Sequence, residues 1–501
     1  MRGSLVVQSW ALLLGERLTN EVLGAAQRSD DLVNFGFVID NRKCIGCHAC
    51  TVACKSEHDV PIGVNRTHVK YIEKGTYPDV TREFSVHRCN HCEDSPCTKI
   101  CPTTALFTRE DGIVDFDDDR CIGCKSCMQA CPYDALYIDP NKGTAAKCNY
   151  CAHKIENSYE PSCVVVCPVE AIISGDLDDP NSSISNYVSE HEVTVRKPES
   201  GAKPNVFYVE TSEDILDPHA TERSGEYLWT DQAAGVGHFA KYADSRLGAS
   251  DTNSMIVQLA LEKKARAANP RDRAIIRDVM ERLDEQAEQP KRSYDQPSKG
   301  VLWGWEVSAY IVTKAIASGA YLVAMIAMFA GIIEMTDELW WQLTVGCTIF
   351  LGITGFLLVK DLDRPERFLY VLLRPNWDSW LVKGAYILSA FGLVLACNGV
   401  VLFFDLDRTY LNYLAVAGIP LATLTGIYTA WLFGQASGRN WSKDRYLTLK
   451  MLVEMIILGV ASIVFLTSSE LIYWATAFVM ILLVCRHAHN TVIQPQLETL
   501  H

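Results

Sequence analysis

The sequence predicts two folds in one chain: a soluble α+β, cysteine-rich domain built from pseudo-repeated units, followed by an all-α bundle of about six membrane-crossing helices. Three observations predict this division. Sixteen of the 19 cysteines lie between Cys44 and Cys167, in four groups of four. Six long apolar runs follow Val301. The formal net charge of -14 sits almost wholly before residue 301, because the remainder carries 12 Lys plus Arg against 14 Asp plus Glu. Strong acidity also argues against nucleic acid as a partner.

The first 35 residues include a short apolar run, SLVVQSWALLL, after Arg2. It has a faint likeness to a signal segment, but Glu16 and Arg17 follow at once and there is no twin arginine. An amphipathic docking helix or extension over 1–35 is the preferred reading.

The cysteine rows come next. Row one is Cys44, Cys47, Cys50 and Cys54; row two is Cys89, Cys92, Cys97 and Cys101; row three is Cys121, Cys124, Cys127 and Cys131; row four is Cys148, Cys151, Cys163 and Cys167. Rows two, three and four end in Cys-Pro, and the four rows form an internal repeat. Tight CxxC steps make poor disulfides, so metal ligation by thiolates is the better reading, with assembly in a reducing compartment. Cys44-Ile-Gly-Cys47-His48 also matches the attachment spacing of a c-type haem, but no other row has His after its CxxC. Structural zinc is the other alternative. Four-membered rows with a trailing Cys-Pro suit 4Fe-4S cubanes best: a tight loop wraps three corners, and the fourth cysteine serves another cluster. Proline then stops the helix from continuing.

These rows, with GFVIDNRKCIGCHAC, DGIVDFDDDRCIGCKSCMQACPYDA, AIISGDLDDPNSSIS and KPESGAKPNVFYVE, make residues 36–208 resemble the four-cluster ferredoxin subunits of molybdopterin oxidoreductases, of the dimethyl sulfoxide and polysulfide reductase type. The resemblance implies a ferredoxin-like domain of two pseudo-repeated dicluster units holding four 4Fe-4S clusters. It also implies the ligand sets. Cys44, Cys47, Cys50 and Cys167 form one; Cys148, Cys151, Cys163 and Cys54 the second; Cys89, Cys92, Cys97 and Cys131 the third; Cys121, Cys124, Cys127 and Cys101 the fourth. His48, His87, His91 and His153 lie near the rows, either tuning potentials or standing as ordinary surface histidines.

Residues 209–300 read as a connecting or docking region. MIVQLALEKKA and RAIIRDVMERLDE carry helical periodicity within Thr252 to Gln286, and QPKRSYDQPSKG reads as a linker. No paired site carboxylates, nucleophile with a base, or phosphate loop occurs there.

The last region, 301–501, supplies the spans. A bilayer core of about 30 Å needs roughly 20 mostly apolar residues. Runs at about 305–333, 341–359, 380–404, 410–434, 447–468 and 470–485 meet or approach this. Trp340, Trp341, Trp380 and Trp474 lie near their ends, where interfacial anchors belong. Cys347, Cys397 and Cys485 read as packing residues. Loops on the side of the cysteine rows carry Lys360, Arg364, Arg367, Arg374, Arg439, Lys443 and Arg445, with Arg486 after the last run, against Arg408 alone opposite. Positive-inside places the rows on the cytoplasmic face of a bacterial or archaeal membrane, unless those basic loops serve to dock the acidic domain. No histidine occurs between 239 and 486, so a haem inside the membrane is not expected. A quinone, menaquinone or ubiquinone, is the expected electron acceptor or donor.

TGFLLVKDLDRPERFLYVLLRPNWDSWLVKGAY and SAYIVTKAIASGAYLVA resemble the haem-free quinone-interacting NrfD-type subunits of polysulfide reductases, which usually have eight or more spans against the six runs here. Ionisable residues in spans cost about 2.5–3.5 kcal/mol near the centre and so mark function. Glu306, Lys314 and Glu454 in the spans, with Asp361, Asp363 and Arg364 in the loop facing the rows, are the candidate quinone and proton site; a structural Lys314–Glu454 pair is the alternative. The chain thus reads as an electron-transfer and membrane-anchor subunit with no substrate-reducing site of its own. A catalytic molybdopterin-type large subunit is the expected partner, with a hydrogenase or multihaem cytochrome as alternatives, and a zinc-stabilised scaffold as a reading of another class.

Overall fold

The computed structural model describes residues 33–76, 79–223, 289–296, 299, 301–467 and 471–497. The N-terminal docking helix falls almost wholly outside the described residues, and the helical run from Thr252 to Gln286 falls entirely outside them.

The acidic part contains β1 (Phe35–Ile39), α1 (Ala49–Glu57), β2 (His68–Thr76), β3 (Asp79–His87), α2 (Pro96–Ile100), β4 (Leu106–Thr108), β5 (Val114–Phe116), α3 (Ser126–Ala130), β6 (Tyr137–Ile138), β7 (Ala145–Ala146), α4 (Ala152–Ile155), α5 (Ser162–Val165), β8 (Ile172–Asp176), α6 (Ser183–Glu190), β9 (Val193–Thr194), β10 (Val206–Val209), α7 (Glu213–Leu216), β11 (Glu222–Arg223) and β12 (Lys291–Tyr294). One sheet has the order β8-β1-β10-β9, with β1 parallel to β10 and antiparallel to β8. Its strand β1 reads FGFVI without alternation because both faces are covered. Phe37 and Ile39 join Val206, Tyr208 and Ile172 in one core, while Val38 points the other way onto Ile184 and Val209.

The second sheet has the order β11-β12-β2-β3. Here the structure corrects the linker reading of QPKRSYDQPSKG. Lys291–Tyr294 is a strand paired antiparallel to β2, with Arg292 opposite Ile72. Burial of Lys70 against Asp295 (3.0 Å), and of Arg292 against the same carboxylate (2.9 Å), holds it there. Tyr294 adds ring contacts with Tyr71 and His48.

The helical part contains α8 (Trp305–Phe329), α9 (Asp337–Lys360), α10 (Tyr370–Leu373), α11 (Trp380–Phe403), α12 (Thr409–Gln435), α13 (Leu447–Thr467) and α14 (Leu471–Leu497). Among the described residues, α8, α9, α11, α12 and α13 are long and apolar enough to cross a membrane. The sixth apolar run lies inside α14, which continues past residue 485 to Leu497. Helix α8 is the hub, packing on α9, α12, α13 and α14. The contact with α13 is close because Gly319 lies against the Met455 carbonyl and Gly459. Trp341 is partly exposed as an anchor would be, but Trp340 is buried inside the bundle and Trp380 packs at a tilt on Trp431, with ring centroids 4.5 Å apart. The Trp474 side chain lies outside the described residues. Cys347 is buried, and Cys397 and Cys485 are half-buried.

Candidate cluster and cavity site

The four cysteine rows share one backbone device. The residue before the second cysteine is left-handed in every row: Gly46 (φ 67), His91 (φ 42), Gly123 (φ 70) and Tyr150 (φ 62). This conformation curls each CxxC so that its thiols face inward. In rows one and three the next left-handed residues are His48 and Lys125, which occupy the same place before α1 and α3. His48 is thus a turn residue equivalent to Lys125.

The rows meet in pairs. Helix α1 of row one packs on α5 of row four, and α2 of row two packs on α3 of row three. The thiols follow. Burial, with Cys148, Cys163 and Cys151 beside it, pushes the Cys54 thiol up. Burial, with Cys89, Cys131 and Cys97 beside it, does the same to Cys92. Cys127 is raised by burial and by Cys124, Cys121 and Cys101. Cys101, Cys121, Cys124 and Cys127 also line one small cavity. Cys44 is raised by burial and has Cys167 and Cys47 as thiol neighbours.

So many buried thiols cannot all ionise unless cationic metal lies between them. Sulfur acceptors are already served: the Ala145 N–H donates to Cys121 Sγ at 3.3 Å, the Ala171 N–H to Cys167 Sγ at 3.3 Å, and Arg88 Nη1 to Cys163 Sγ at 3.2 Å. His58 Nε2 lies 3.2 Å from Cys151 Sγ. Four thiols around one cavity, as Cys101, Cys121, Cys124 and Cys127 are, suit the four corners of a cubane. The residues fit iron–sulfur clusters. Of the flanking histidines, His87 and His91 are buried, His48 is half-buried, and His153 is exposed against Glu57.

Row three seats directly on the membrane part. The Arg364 N–H donates to Ile122 O at 3.2 Å, and Arg367 Nη1 to Asp118 O at 2.7 Å and Cys121 O at 3.1 Å. Asn376 Nδ2 donates to Cys101 O at 2.8 Å, Ser379 Oγ to Ile100 O at 2.7 Å, and Ser437 Oγ to Ala130 O at 2.9 Å. Trp303 Nε1 donates to Cys124 O at 3.2 Å.

Behind this seam lies an apolar cavity of about 260 Å³. Cys124 and Ser126 line one wall; Trp303, Tyr310, Asp361 and Tyr428 line the others. Burial raises the Asp361 carboxyl to about 7, against the lowering effect of Lys125.

The six candidate side chains separate by position. Asp361 lines the cavity. Lys314, with no exposure, lies 4.3 Å from the Tyr428 ring centroid and donates to Thr429 Oγ1. Glu454 pairs with His487 at 3.2 Å rather than closing a direct ion pair with Lys314. Glu306 faces Lys360 at 3.5 Å near the start of α8. Asp363 and Arg364 belong to the docking seam: Asp363 pairs with Lys125 at 3.1 Å, and Arg364 Nε donates to Lys142 O at 2.5 Å. Trp303, Tyr310, Tyr428 and His487 were not anticipated. A polar-tipped aromatic in an apolar run carries no periodic signal, and His487 becomes visible only once α14 is seen to pass Glu454.

Comparison with known proteins agrees with both halves. Residues 80–177 match the 4Fe-4S dicluster domain family, and residues 295–478 match the family described as polysulphide reductase, NrfD. A polysulfide reductase polypeptide of Wolinella succinogenes is 44% identical over 179 residues, which is 35% of this chain and 93% of the relative. A tetrathionate reductase polypeptide of Salmonella typhimurium is 41% identical over 199 residues, 39% of this chain and 79% of the relative. The arsenate respiratory reductase iron–sulfur subunit of a Shewanella species is 34% identical, with 35% of this chain and 96% of the relative covered.

Proposed function

Because the chain belongs to the family of 4Fe-4S dicluster iron–sulfur subunits of such reductases, here continued by a polysulphide reductase NrfD domain, we propose that it carries electrons between a catalytic partner and the membrane quinone pool. It is a multi-pass membrane protein that holds iron–sulfur clusters and serves a larger oxidoreductase complex. Four clusters on the sixteen row cysteines, paired as row one with four and row two with three, are part of the proposal. So are a molybdopterin-type large subunit and a cytoplasmic position for the rows.

One observation carries the reading: Cys124 and the membrane-embedded Tyr310 and Tyr428 line the same cavity. An electron on the cluster at Cys101, Cys121, Cys124 and Cys127 would have a direct neighbour in a quinone held there. When bound, that cluster supplies one-electron transfer; the chain supplies the protons and the enclosure. Reducing a quinone takes two electrons and two protons, so the cavity needs proton donors. Asp361 at its edge and Lys314 beside Tyr428 are placed for this. Glu454 precedes Met455, which packs on Gly319 of the helix that carries Lys314, and it pairs at 3.2 Å with His487, whose side chain is exposed. We assign proton exchange to this line of groups. Arg364, Arg367 and Arg439 serve docking, while Lys360, Arg374, Lys443 and Arg445 remain for the positive-inside argument.

The test uses the full chain in lipid vesicles, its clusters loaded and reduced with dithionite. Adding a quinone should reoxidise them, and Ala385→Phe, a substitution on the α11 face that lines the cavity, should slow this by about tenfold or more while leaving iron content unchanged. Equal rates in both proteins would overturn the cavity assignment. Co-purification of a molybdenum-containing subunit is the matching result for the partner; nickel or covalent haem in its place would contradict it.

A further inference from the structure

Each cysteine row is preceded by a basic residue: Lys43, Arg88, Arg120 and Lys147. Lys43 and Arg120, before rows one and three, are exposed. Arg88 and Lys147, before rows two and four, are only 2% and 0% exposed. Burying a cation is costly unless something nearby repays it. Neither pairs with a carboxylate among the described residues; their partners are sulfur and backbone carbonyls.

Their placement is reciprocal. Arg88 opens row two, yet its Nη1 reaches Cys163, the third cysteine of row four, and its guanidinium lies 4.4 Å from the Phe37 ring centroid. Lys147 opens row four, yet its charge favours the ionised form of Cys97, the third cysteine of row two, against the burial that opposes it. Its Nζ donates to Val114 O, and to Cys148 O at 2.9 Å. His91 is buried nearby, its Nδ1 accepting from the N–H of Val114, whose carbonyl accepts from Lys147. Cys89 and Cys148, the ligands that follow the two cations, pack in one core with Cys92. This is where the two row pairs meet. Arg88 Nε and Nη2 are buried without a hydrogen-bond acceptor, and cluster sulfur is the acceptor chemistry that would satisfy them.

We propose that Arg88 and Lys147 form a reciprocal cationic bridge at the junction of the two row pairs, each stabilising the reduced form of the cluster held by the other's row. The inference rests on the ligand sets proposed above. Arg88 acts on the cluster of Cys148, Cys151, Cys163 and Cys54; Lys147 acts on that of Cys89, Cys92, Cys97 and Cys131. Reduction adds one electron, and one negative charge, to a group that its thiolates already make anionic. A fixed cation close to the ligands favours that state, as Arg88 is to Cys163 Sγ at 3.2 Å and as Lys147, buried against the Cys148 carbonyl at 2.9 Å, is to the core that Cys148 shares with Cys89 and Cys92. No proton moves at Arg88, since arginine stays charged throughout. The two clusters flanking the crossing are thereby kept easier to reduce than their anionic neighbours would allow.

The experiment is a redox titration of the full, cluster-loaded chain followed by electron paramagnetic resonance, with iron and sulfide counted in each sample. Arg88→Met should lower the midpoint of one cluster, changing its reduced-to-oxidised ratio at a fixed potential on the order of tenfold. Lys147→Met should lower the midpoint of a different cluster. Full iron with unmoved midpoints, or both variants moving the same cluster, overturns the inference. If Arg88→Met loses a cluster, Arg88→Gln and Arg88→Lys decide between charge and packing. The Gln midpoint must fall and the Lys midpoint stay closer to that of the parent chain; equal midpoints overturn the bridge. A parent chain short of iron would sink the cluster assignment itself, a separate failure.

Discussion

Asp361 shows how a single residue connects the two halves. Its carboxyl, raised to about 7 by burial, is protonated below that pH and charged above it. It can therefore give a proton to a reducing quinone in acid, and this ability is lost as pH rises through about 7. Reoxidation of reduced clusters by quinone should slow between about pH 6 and about pH 8, and Asp361→Asn should abolish that inflection, as stopped-flow traces at each pH would record. Lys314→Met should slow the same reaction about 10²-fold with cluster content intact, measured as rate against iron per chain. Both residues were legible in the sequence, because an ionisable group in or beside an apolar run is rare and costly. Tyr310, Tyr428 and Trp303 were not. Their rings match the apolar pattern around them, and only the packing of α8, α9, α11 and α12 on row three reveals what they face.

At the scale of elements, the curled CxxC turn is the unit of construction. Gly123 has both reasons to be glycine: its φ is +70, and a Cβ there would come within 2.7 Å of Asp363 Cβ and 2.8 Å of Gly143 O. Gly123→Ala should therefore destabilise the seam between row three and the membrane part by about 1–3 kcal/mol. Limited proteolysis of the acidic part should accelerate in that variant, while Gly63→Ala, whose Cβ would meet open space, should leave the seam unaffected. The cysteine spacing made the turns readable in advance, since four copies of one pattern reinforce each other. Strand β12 was not readable: Lys-Arg-Ser-Tyr has no alternation of its own and takes its strand form from β2. The loop from Asp361 to Ser379 was read as functional from its ionisable residues. Its polar groups instead spend most of their hydrogen bonds on row-two and row-three carbonyls, with Asp361 left to the cavity.

Across the whole molecule, the division into an acidic cysteine-rich part and a helical membrane part was plain from composition. Its internal wiring was implied by the family resemblance, and helix packing adds support. Helix α1 on α5 and α2 on α3 support the pairing of rows one with four and two with three. Rows two and three also lie on the membrane part, with row three at the cavity wall, which leaves row one farthest along the proposed path and its Cys47 exposed. A catalytic partner docked at row one and a quinone at row three would then sit at opposite ends of one conductor. The claim beneath all of this is that the sixteen row thiolates hold four iron–sulfur cubanes. Iron and acid-labile sulfide, counted together in anaerobically purified full-length protein, test it most directly. Roughly sixteen irons and as many sulfides per chain are predicted. Zinc in their place, or iron for no more than about half that number, would contradict it.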